Sequence, residues 1–401
     1  MKTFASIIGV VALSATAATA GGIDRGRLTY GALYEKGNYV ELGFSHVQPK
    51  VSGIYGVGVP GTGTSTGDMA GDYTNFSFSY KRDINEKLSY GIFVNTPYGA
   101  SASYPQGLYT GLQADWDSKQ VAVVLRYKLE QGFSIHGGLK AIRSKPTISI
   151  PNALIAGGLQ RVALTGSGLA KAQAQGILVG YGNADPQTFS GATGLEYGAT
   201  GEADTRVAGI VGIAYEKPEI ALRVALTYES GFTHKFNTTE TSIIPGIGRT
   251  GTTEIEMPQT VTLDFQTGVA KDTLVFGSIR WAEWSKWEVR PSGYEALTGG
   301  NVTDFENDVI TYQLGVGRKL TDNFSVFARV GYEKANGGVS SRLAPTDGSK
   351  SFGIGGSFTK DGMKVTAGLE YAKLGGAVDG SGTEFEGNKA VGFGVTVGYS
   401  F

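Results

Sequence analysis

The sequence predicts an all-β fold: a transmembrane, antiparallel, up-and-down β-barrel of 14 strands with a short N-terminal segment and a long, partly helical third outer loop. Three observations predict it. The chain starts with a removable leader, its later segments carry apolar residues at every second position, and its connections alternate between short and long. An even number of strands, with short turns on one side and long loops on the other, is typical of bacterial outer-membrane barrels.

Residues 1–20 have the composition of a signal peptide. Lys2 gives a positive start, Phe4–Leu13 an apolar stretch and Ala18–Ala20 a small-residue cleavage site. The apolar stretch is too short to cross a bilayer, which takes about 20 residues. We therefore expect the chain to be exported from the cytoplasm and the mature protein to begin at Gly21.

Alternation is clearest in the last segment of the chain. Small or weakly polar residues separate its apolar ones, which are Val391, Phe393, Val395, Val397, Tyr399 and Phe401. Successive side chains of a strand point to opposite faces, so one face of this segment is wholly apolar. In lipid every backbone N–H and C=O must be paired, which a closed barrel achieves. The apolar rows are therefore expected to face hydrocarbon, and ionisable residues such as Lys81, Lys140, Arg223 and Arg329 to face the lumen.

Polar connections of two lengths separate the predicted strands. The short ones are at 83–86, 130–132, 217–219, 270–272, 320–323 and 360–362. The long ones, rich in Gly, Ser and Thr, are at 51–71, 99–110, 150–201, 238–257, 290–308, 335–348 and 375–387. The strands between them are predicted at 38–50, 72–82, 87–98, 113–129, 133–149, 202–216, 220–237, 258–269, 273–289, 309–319, 324–334, 349–359, 363–374 and 388–401.

This layout divides the chain into a signal peptide (1–20), a short plug-like segment (21–37) and a barrel (38–401) of the bacterial outer membrane, where outer-membrane lipids are expected neighbours. A cylinder of this many strands is too wide for side chains to fill, so either a plug or a passage must occupy its centre. The terminal Phe401, with Tyr399 and Val397 on the same face, is similar to the signal that hands barrels to the outer-membrane assembly machinery, an expected partner.

Composition argues against several classes of function. The chain has no cysteine and three scattered histidines, which leaves little for metal binding, disulfides or thiol chemistry. Its 35 basic and 36 acidic residues do not make the basic surface that nucleic-acid binding needs. No P-loop or nucleophile elbow is present. We predict a protein that is not an enzyme, with no metal, cofactor or nucleic-acid partner.

Three tryptophans, Trp281, Trp284 and Trp287, fall at the long-loop end of the predicted ninth strand. Amphipathic rings suit the boundary between lipid and water, so a place in the aromatic girdle is expected for them. Their spacing by three means that they cannot all share one face of a strand.

Three stretches of sequence resemble a known family. Met257–Phe265, followed by Arg280–Ser285, resembles the Pro-x-x-strand and Trp-Ser pattern of the long-chain fatty acid outer-membrane transporters of the FadL/TodX type. Val94–Gly99 is similar to the end of that family's third strand. The resemblance implies a monomeric channel that binds a hydrophobic small molecule in its lumen and releases it sideways through a gap at a kinked third strand. It implies a lateral gate at Asn95, Pro97 and Tyr98, and a proline there cannot donate a hydrogen bond to a neighbouring strand.

The sequence departs from the family pattern in two places. The family's N-terminal plug has about forty residues and an Asn-Pro-Ala motif, whereas only Gly21–Gly37 precede the first strand here. Arg143 aligns with a family arginine that meets the ligand's carboxylate, but acidic residues in Phe305–Asp308 replace its expected basic partner. The resemblance thus implies a fatty acid contact at Arg143 and also leaves room for neutral hydrocarbons.

Apolar residues of the outer loops give separate support for an apolar cargo. Those predicted to bind ligand in a groove between the third and fourth loops are Leu154, Ile155, Leu159, Val162, Ile243 and Ile244. Exposed apolar loop residues are costly unless they are covered, so a local core within the loops is the alternative interpretation.

The function predicted from these observations is uptake of hydrophobic small molecules, with long-chain fatty acids as the first expectation and aromatic hydrocarbons as the alternative within the same family. A general diffusion porin also remains open, although its constriction loop would more naturally carry charges. An outer-membrane enzyme of the lipase type would need a histidine at the outer rim of a strand; His136 is expected near the short-turn side, and His46 has no evident catalytic serine partner.

Overall fold

The computed structural model describes residues 22–182 and 193–401, so the predicted leader at 1–20 lies outside the described residues. An 18-stranded sheet closes on itself, because β1 (Tyr39–Lys50) pairs along its whole length with β23 (Lys389–Ser400). Four of the barrel strands are interrupted once. The sheet is therefore the predicted closed antiparallel barrel of 14 strands.

The remaining uninterrupted barrel strands are β2 (Tyr73–Asp83), β5 (Gln113–Lys128), β6 (Phe133–Ile150), β13 (Thr273–Ala282), β16 (Val309–Lys319), β17 (Phe324–Glu333), β19 (Ser349–Lys360) and β20 (Met363–Leu374). The interrupted ones are β3 (Leu88–Asn95) with β4 (Gly99–Ser103), β7 (Tyr197–Gly201) with β8 (Asp204–Lys217), β9 (Leu222–Glu229) with β10 (Phe232–Thr241), and β11 (Thr250–Met257) with β12 (Thr260–Ala270).

Smaller elements lie in the connections. Short strands are β14 (Glu288–Val289), β15 (Thr303–Asp304), β18 (Val339–Ser340), β21 (Ala377–Asp379) and β22 (Glu384–Phe385). The helices are α1 (Asn152–Thr165) and α2 (Gly168–Gly182) in the third outer loop, as expected, and α3 (Ser292–Thr298); single 3-10 turns occupy Gly31–Tyr34, Gly107–Tyr109, Pro218–Ile220 and Trp284–Lys286. None of the helices in the described part of the chain is long and apolar enough to cross a membrane.

Apolar side chains point away from the barrel axis. Phe393 and Val397 on β23 are 41% and 43% exposed, whereas Thr396 between them is buried. Lys140 and Arg329 are each less than a tenth exposed because they point into the lumen. The predicted assignment of the two faces is confirmed, and it is the arrangement that a hydrocarbon solvent requires.

Tight turns on one side of the barrel follow from sequence. Asp361 and Gly362 link β19 to β20 and both have positive φ, 50° and 81°. Gln131 and Gly132 link β5 to β6 with φ values of 58° and 86°. Two central residues with positive φ match the twist of a two-residue hairpin, and Asp-Gly is among the sequences that favour it.

On the opposite side, several strands extend further than the sequence analysis placed them. The segments predicted as long loops at 99–110 and 238–257 contain β4, the end of β10 and all of β11. Polar residues such as Thr250 and Glu254 gave these segments the composition of loops, because a strand that rises above the bilayer no longer needs an apolar face. Its backbone groups are still paired, since β10 and β11 form a regular ladder.

The girdle expected for the tryptophans is wrong for two of them. The ninth barrel strand ends at Ala282, and the chain then turns inward, so that Trp284 is fully buried and Trp287 is 5% exposed. Trp281 alone remains on the wall as a half-buried residue, and its Nε1 donates a hydrogen bond to Asp308 at 3.1 Å. The rings are separated because the strand ends at Ala282, between Trp281 and Trp284.

The outer loops share one apolar core and one buried polar network. The Tyr109 hydroxyl bonds with Asp379, Ser381 and Thr383 at 2.5, 2.5 and 2.8 Å, which ties the turn after β4 to the last outer loop. Burial raises the pKa of the Tyr109 hydroxyl, and its hydrogen bond to the Asp379 carboxylate raises it further. The hydroxyl therefore stays protonated and keeps donating at neutral pH.

Glu240, at the end of β10, holds α3 against the barrel rim. Its carboxylate is buried and accepts hydrogen bonds from the backbone N–H groups of Gly293 and Tyr294, at 2.8 and 2.9 Å, and from the Tyr197 hydroxyl at 2.6 Å. A carboxylate on the first N–H groups of a helix is electrostatically favourable.

Glu240→Ala is expected to loosen this part of the loops, because each buried donor left without an acceptor costs about 1–3 kcal/mol. Hydrogen exchange of the 292–298 amides should accelerate strongly. The matched control is Glu254→Ala, which removes an exposed carboxylate paired with Lys235 and should cost less than about 1 kcal/mol. Equal exchange rates in both variants would contradict the role given to Glu240.

Candidate functional site

The N-terminal segment, residues 22–36, lies inside the barrel and is tied to its wall by ion pairs. Asp24 pairs with Arg280 of β13 at 2.8 Å. Arg27 pairs with Asp264 of β12, where its Nη2 donates to both carboxylate oxygens, at 2.7 and 2.8 Å. The indole N–H of Trp284 also donates to Asp24, at 3.3 Å. These contacts bring the segment across the lumen at the level of the membrane-spanning strands.

A third tether uses a buried charge pair. The Tyr30 hydroxyl donates to Glu229 at 2.8 Å, and Glu229 is also paired with Lys140, whose side chain is 2% exposed. Removing one member of a buried pair leaves the other charge unpaired, which is far more costly than losing a surface pair. The three tethers join the N-terminal segment to three neighbouring strands of the wall, β9, β12 and β13, and Lys140 of β6 is linked to the third through Glu229.

On the long-loop side of this segment lies an apolar pocket with about 720 Å³ of free space, its open mouth included. Ile23 forms its floor, and the residues that line its walls include Ala114, Trp116, Ile148, Ala199, Phe236, Thr253, Ile255, Trp287, Phe305 and Leu343. The upper pocket, as we call it, contains one charged lining residue among the described residues, Asp115.

Aromatic rings dominate one side of the upper pocket. Trp116 meets Phe236 edge to face, with ring centroids 5.6 Å apart, and Trp287 lies 6.2 Å from Trp116 and 4.9 Å from Phe305. The indole N–H groups of Trp116 and Trp287 are buried and have no hydrogen-bond partner among the described residues. This side of the upper pocket therefore offers an apolar aromatic surface to a guest.

On the short-turn side of the N-terminal segment the lumen is polar. A second space of about 1010 Å³ is lined by Arg27, Tyr34, Arg223, Asp264 and Arg329, among others. Arg223 lies over the Tyr34 ring at 4.7 Å. An apolar molecule would lose favourable surroundings on moving from the upper pocket into this space, because the charged groups there prefer water or each other.

The wall opens beside the N-terminal segment, between the second and third barrel strands. The β2–β3 ladder ends where Phe78 faces Val94, and the strands meet again only where Gly71 donates to Ser101 at 3.1 Å. Between these contacts no ladder joins residues 72–77 to residues 95–100 in the described chain. We call this break the wall gap.

Proline is the local cause of the wall gap. Pro97 stands between β3 and β4, and it has no N–H to donate to β2. A cleft of about 360 Å³ occupies the gap, and its lining includes Asn95 and Thr96 on the kinked strand and the outward-facing Phe44 and Phe76 on the strands opposite. The cleft thus lies between the N-terminal segment and the wall beside the gap, because Gly26 and Arg27 also line it.

The N-terminal segment covers the wall gap from inside by pairing with the kinked strand. Arg25 donates its backbone N–H to Pro97 at 2.9 Å, and Gly99 donates to Ile23 at 2.8 Å. These two bonds satisfy backbone groups that β2 leaves without a partner. The gap is therefore closed by a segment that belongs to no barrel strand.

The three residues expected at a lateral gate all lie at this gap. Asn95 is buried and its Nδ2 donates to the Gly26 carbonyl at 2.6 Å. Tyr98 is buried and forms the backbone bridge opposite Asp24. The third, Pro97, interrupts the strand as described above.

The apolar loop residues expected to bind ligand are distributed differently. Five of them join the apolar core of the outer loops, namely Leu154, Ile155, Leu159, Val162 and Ile244. Of these, Leu154 also lines a cavity at the loop surface. Ile243 is 56% exposed and stands apart from them. The structure brings these residues together as a loop core and places none of the six in the upper pocket.

Arg143 does not point into the lumen. It is exposed on the outward face of β6, between the buried Ile142 and Ser144, and its cross-strand neighbours are Lys119 and Thr205. The strand's alternation therefore turns the guanidinium toward the surroundings of the barrel, away from the upper pocket. A ligand carboxylate inside the barrel is out of its reach.

Sequence reasoning missed the aromatic residues of the upper pocket. A signal for two of them exists: Trp116 stands between Asp115 and Asp117, and Phe236 stands between Lys235 and Asn237. When polar residues occupy the outward positions of an extended strand above the bilayer, the ring between them must point inward. At the top of the barrel strands the alternation continues, but the outward residues become polar and the inward ones apolar.

Comparison with known proteins agrees with this architecture. Similar solved structures include a FadL homologue of Pseudomonas aeruginosa (TM-score 0.69, 13% identity, 92% of both chains covered), the toluene transporter TodX of P. putida (0.62, 13%, 92% of this chain and 91% of that one) and the toluene transporter TbuX of Ralstonia pickettii (0.58, 12%, 92% and 91%). Comparison with curated proteins gives no match.

Structures with so little sequence identity establish the fold alone, whereas a family model establishes the family. The family described as outer membrane protein transport protein (OMPP1/FadL/TodX) matches residues 32–401, which is the whole barrel and the end of the N-terminal segment. The chain therefore belongs to this family of outer-membrane proteins that transport hydrophobic small molecules, and its place is the bacterial outer membrane.

Proposed function

We propose that this protein takes up neutral, apolar molecules of the size of substituted benzenes, binds them in the upper pocket and releases them into the membrane through the wall gap. The observation that carries the proposal is the upper pocket itself, which is lined by aromatic and aliphatic side chains and has no cation among its described lining residues. Two of the similar structures are described as toluene transporters, which supports the same class of cargo.

The charge of the pocket argues for a neutral cargo. A carboxylate moved from water into apolar surroundings loses hydration that only a cation or several hydrogen bonds can replace. The upper pocket offers no cation: the side chain of its one charged lining residue, Asp115, takes an outward position on β5, and Arg143 lies on the other side of the wall. The expected preference for long-chain fatty acids therefore has no support from this pocket.

The route through the wall follows from the same physical reasoning. Below the upper pocket the N-terminal segment and the polar space of Arg223 and Arg329 would have to be crossed by an apolar molecule. Beside the pocket floor, the wall gap leads to the hydrocarbon of the bilayer past Phe44 and Phe76. Lateral release keeps an apolar cargo in contact with apolar surfaces, provided that the covering segment moves.

Ethylbenzene and 3-phenylpropanoate make a matched pair of probes, because they share a ring and differ chiefly in a carboxylate. Ethylbenzene is expected to bind the purified protein at least about tenfold more tightly at pH 7, since the pocket cannot compensate for a buried charge. Calorimetric titration of both ligands measures the difference. Equal or tighter binding of 3-phenylpropanoate would contradict the proposal of a neutral cargo and would favour fatty acids as the transported molecules.

A further inference from the structure

Four lysines form a row across the outward face of the barrel, on four neighbouring strands. Lys50 of β1 lies directly opposite Lys389 of β23, Lys389 lies opposite Lys373 of β20, and Lys373 lies opposite Lys350 of β19. All four side chains are exposed. We call this row the lysine patch; at about 4.8 Å per strand it spans roughly 14 Å.

The lysine patch carries uncompensated charge. None of its four members forms an ion pair or a side-chain hydrogen bond among the described residues. Asp72, an acid at the β1 end of the patch, accepts a hydrogen bond from Gln48 at 3.1 Å. Like charges directly opposite one another on a sheet are destabilising, so the row costs stability in the absence of a bound anion.

The height of the lysine patch is fixed by its neighbours on the same face. Two residues closer to the membrane centre, the next row contains Val391, Tyr371 and Phe352, which are 46%, 49% and 53% exposed. On the fifth strand the position opposite Lys350 is occupied by Tyr332, an exposed aromatic residue. Apolar and tyrosine side chains of this kind mark the boundary between hydrocarbon and head groups.

The patch therefore lies on the long-loop side, where the head groups of the outer leaflet surround the barrel. We propose that the lysine patch is a binding site for a phosphorylated glycolipid of that leaflet, with its phosphates on the lysines and its acyl chains on the apolar rows below. Clusters of four or more lysines next to a membrane surface attract anionic head groups in this way. Because the row of lysines is longer than a single phosphate group, it suits a head group that carries two phosphates.

The test compares two variants of the full-length protein in which four lysines become glutamine. One is K50Q/K350Q/K373Q/K389Q, which neutralises the patch. The control is K87Q/K217Q/K271Q/K360Q, which removes the same number of exposed lysines at the short turns on the opposite side. Bis-phosphorylated lipid A is titrated into each purified protein in non-ionic detergent, and native mass spectrometry counts the bound lipid.

Wild type and the control are expected to retain one lipid A with similar affinity, and the patch variant to bind it at least about tenfold more weakly. Lipid A with a single phosphate should bind wild type more weakly than the bis-phosphorylated form. Thermal unfolding without lipid checks folding, and the patch variant should be no less stable than wild type because repulsion has been removed. Equal binding by wild type and the patch variant, or an equal loss in both variants, would overturn the proposal.

Discussion

A protein carrying Asp24→Cys and Tyr98→Cys is expected to lose uptake of its cargo when oxidised and to recover it when reduced. Asp24 and Tyr98 are paired across the bridge between the N-terminal segment and the kinked third strand. The backbone hydrogen bonds lie on either side of this bridge, from Arg25 to Pro97 and from Gly99 to Ile23. Asp24 and Tyr98 are therefore a non-hydrogen-bonded pair of an antiparallel ladder. Such pairs have the closest Cα atoms of an antiparallel ladder, about 4.5 Å, which suits a disulfide.

The disulfide would fix the covering segment over the wall gap, so cargo could reach the upper pocket but could not leave sideways. Uptake of radiolabelled ethylbenzene by cells that carry the variant, with and without a reductant, measures the effect. The natural chain contains no cysteine, so no other disulfide can form. Comparing two redox states of one variant also cancels the loss of the Asp24–Arg280 ion pair. Uptake by the oxidised form at the rate of the reduced form would show that release does not need this segment to move.

Ala199→Phe is expected to abolish binding of ethylbenzene while leaving the barrel folded. Ala199 lies on β7, is 6% exposed and lines the upper pocket. A phenyl ring at this position would occupy the space that the guest needs, and its own burial against Trp116 and Phe236 would be favourable. Calorimetric titration should show no heat of binding above that of a buffer control.

The matched control is Ala141→Phe, which places the same ring on the outward face of β6. A lipid-facing phenylalanine is ordinary on such a barrel, so binding should be unchanged. Both variants should unfold at temperatures close to that of wild type. Undiminished binding in Ala199→Phe would place the cargo elsewhere, and the loop cavity near Leu154 would become the first alternative.

The barrel was predictable because the solvent imposes a simple rule on its strands. Where a strand crosses hydrocarbon, every outward position must be apolar, and this alternation is visible in β23 without knowledge of any partner strand. Above the bilayer the rule no longer applies. The predicted strands therefore end too early at β4 and β11, whose outward positions are polar.

The site was only partly predictable. Pro97 predicts a break in the third strand, because the lack of a backbone N–H is a property of the residue itself and needs no knowledge of its neighbours. The contacts that close the break are not local: Arg27 reaches Asp264, 237 positions away in the chain, and nothing in either stretch specifies the other. Likewise, the spacing of Ile155 and Leu159 predicts a buried helix face, which the structure has, but spacing alone cannot say whether a ligand or a neighbouring loop covers it.

Arg143 illustrates the limit of reasoning by alignment. A shift of one residue along a strand exchanges its two faces, and Arg143, which the family resemblance led us to expect at the ligand, points outward here. The alternation of buried Ile142 and Ser144 with exposed Arg143 is consistent over the whole of β6. Lys140 was expected to face the lumen and lies three positions earlier on the same strand, so alternation along β6 alone turns Arg143 outward.

The position of a heavy-atom cargo analogue tests the central claim most directly. Crystals of the protein soaked with 4-bromotoluene should show anomalous density from bromine inside the upper pocket, between Trp116, Phe236 and Trp287. Bromine density confined to the loop surface, or to the polar space around Arg223, would contradict the assignment of the upper pocket as the place where cargo binds.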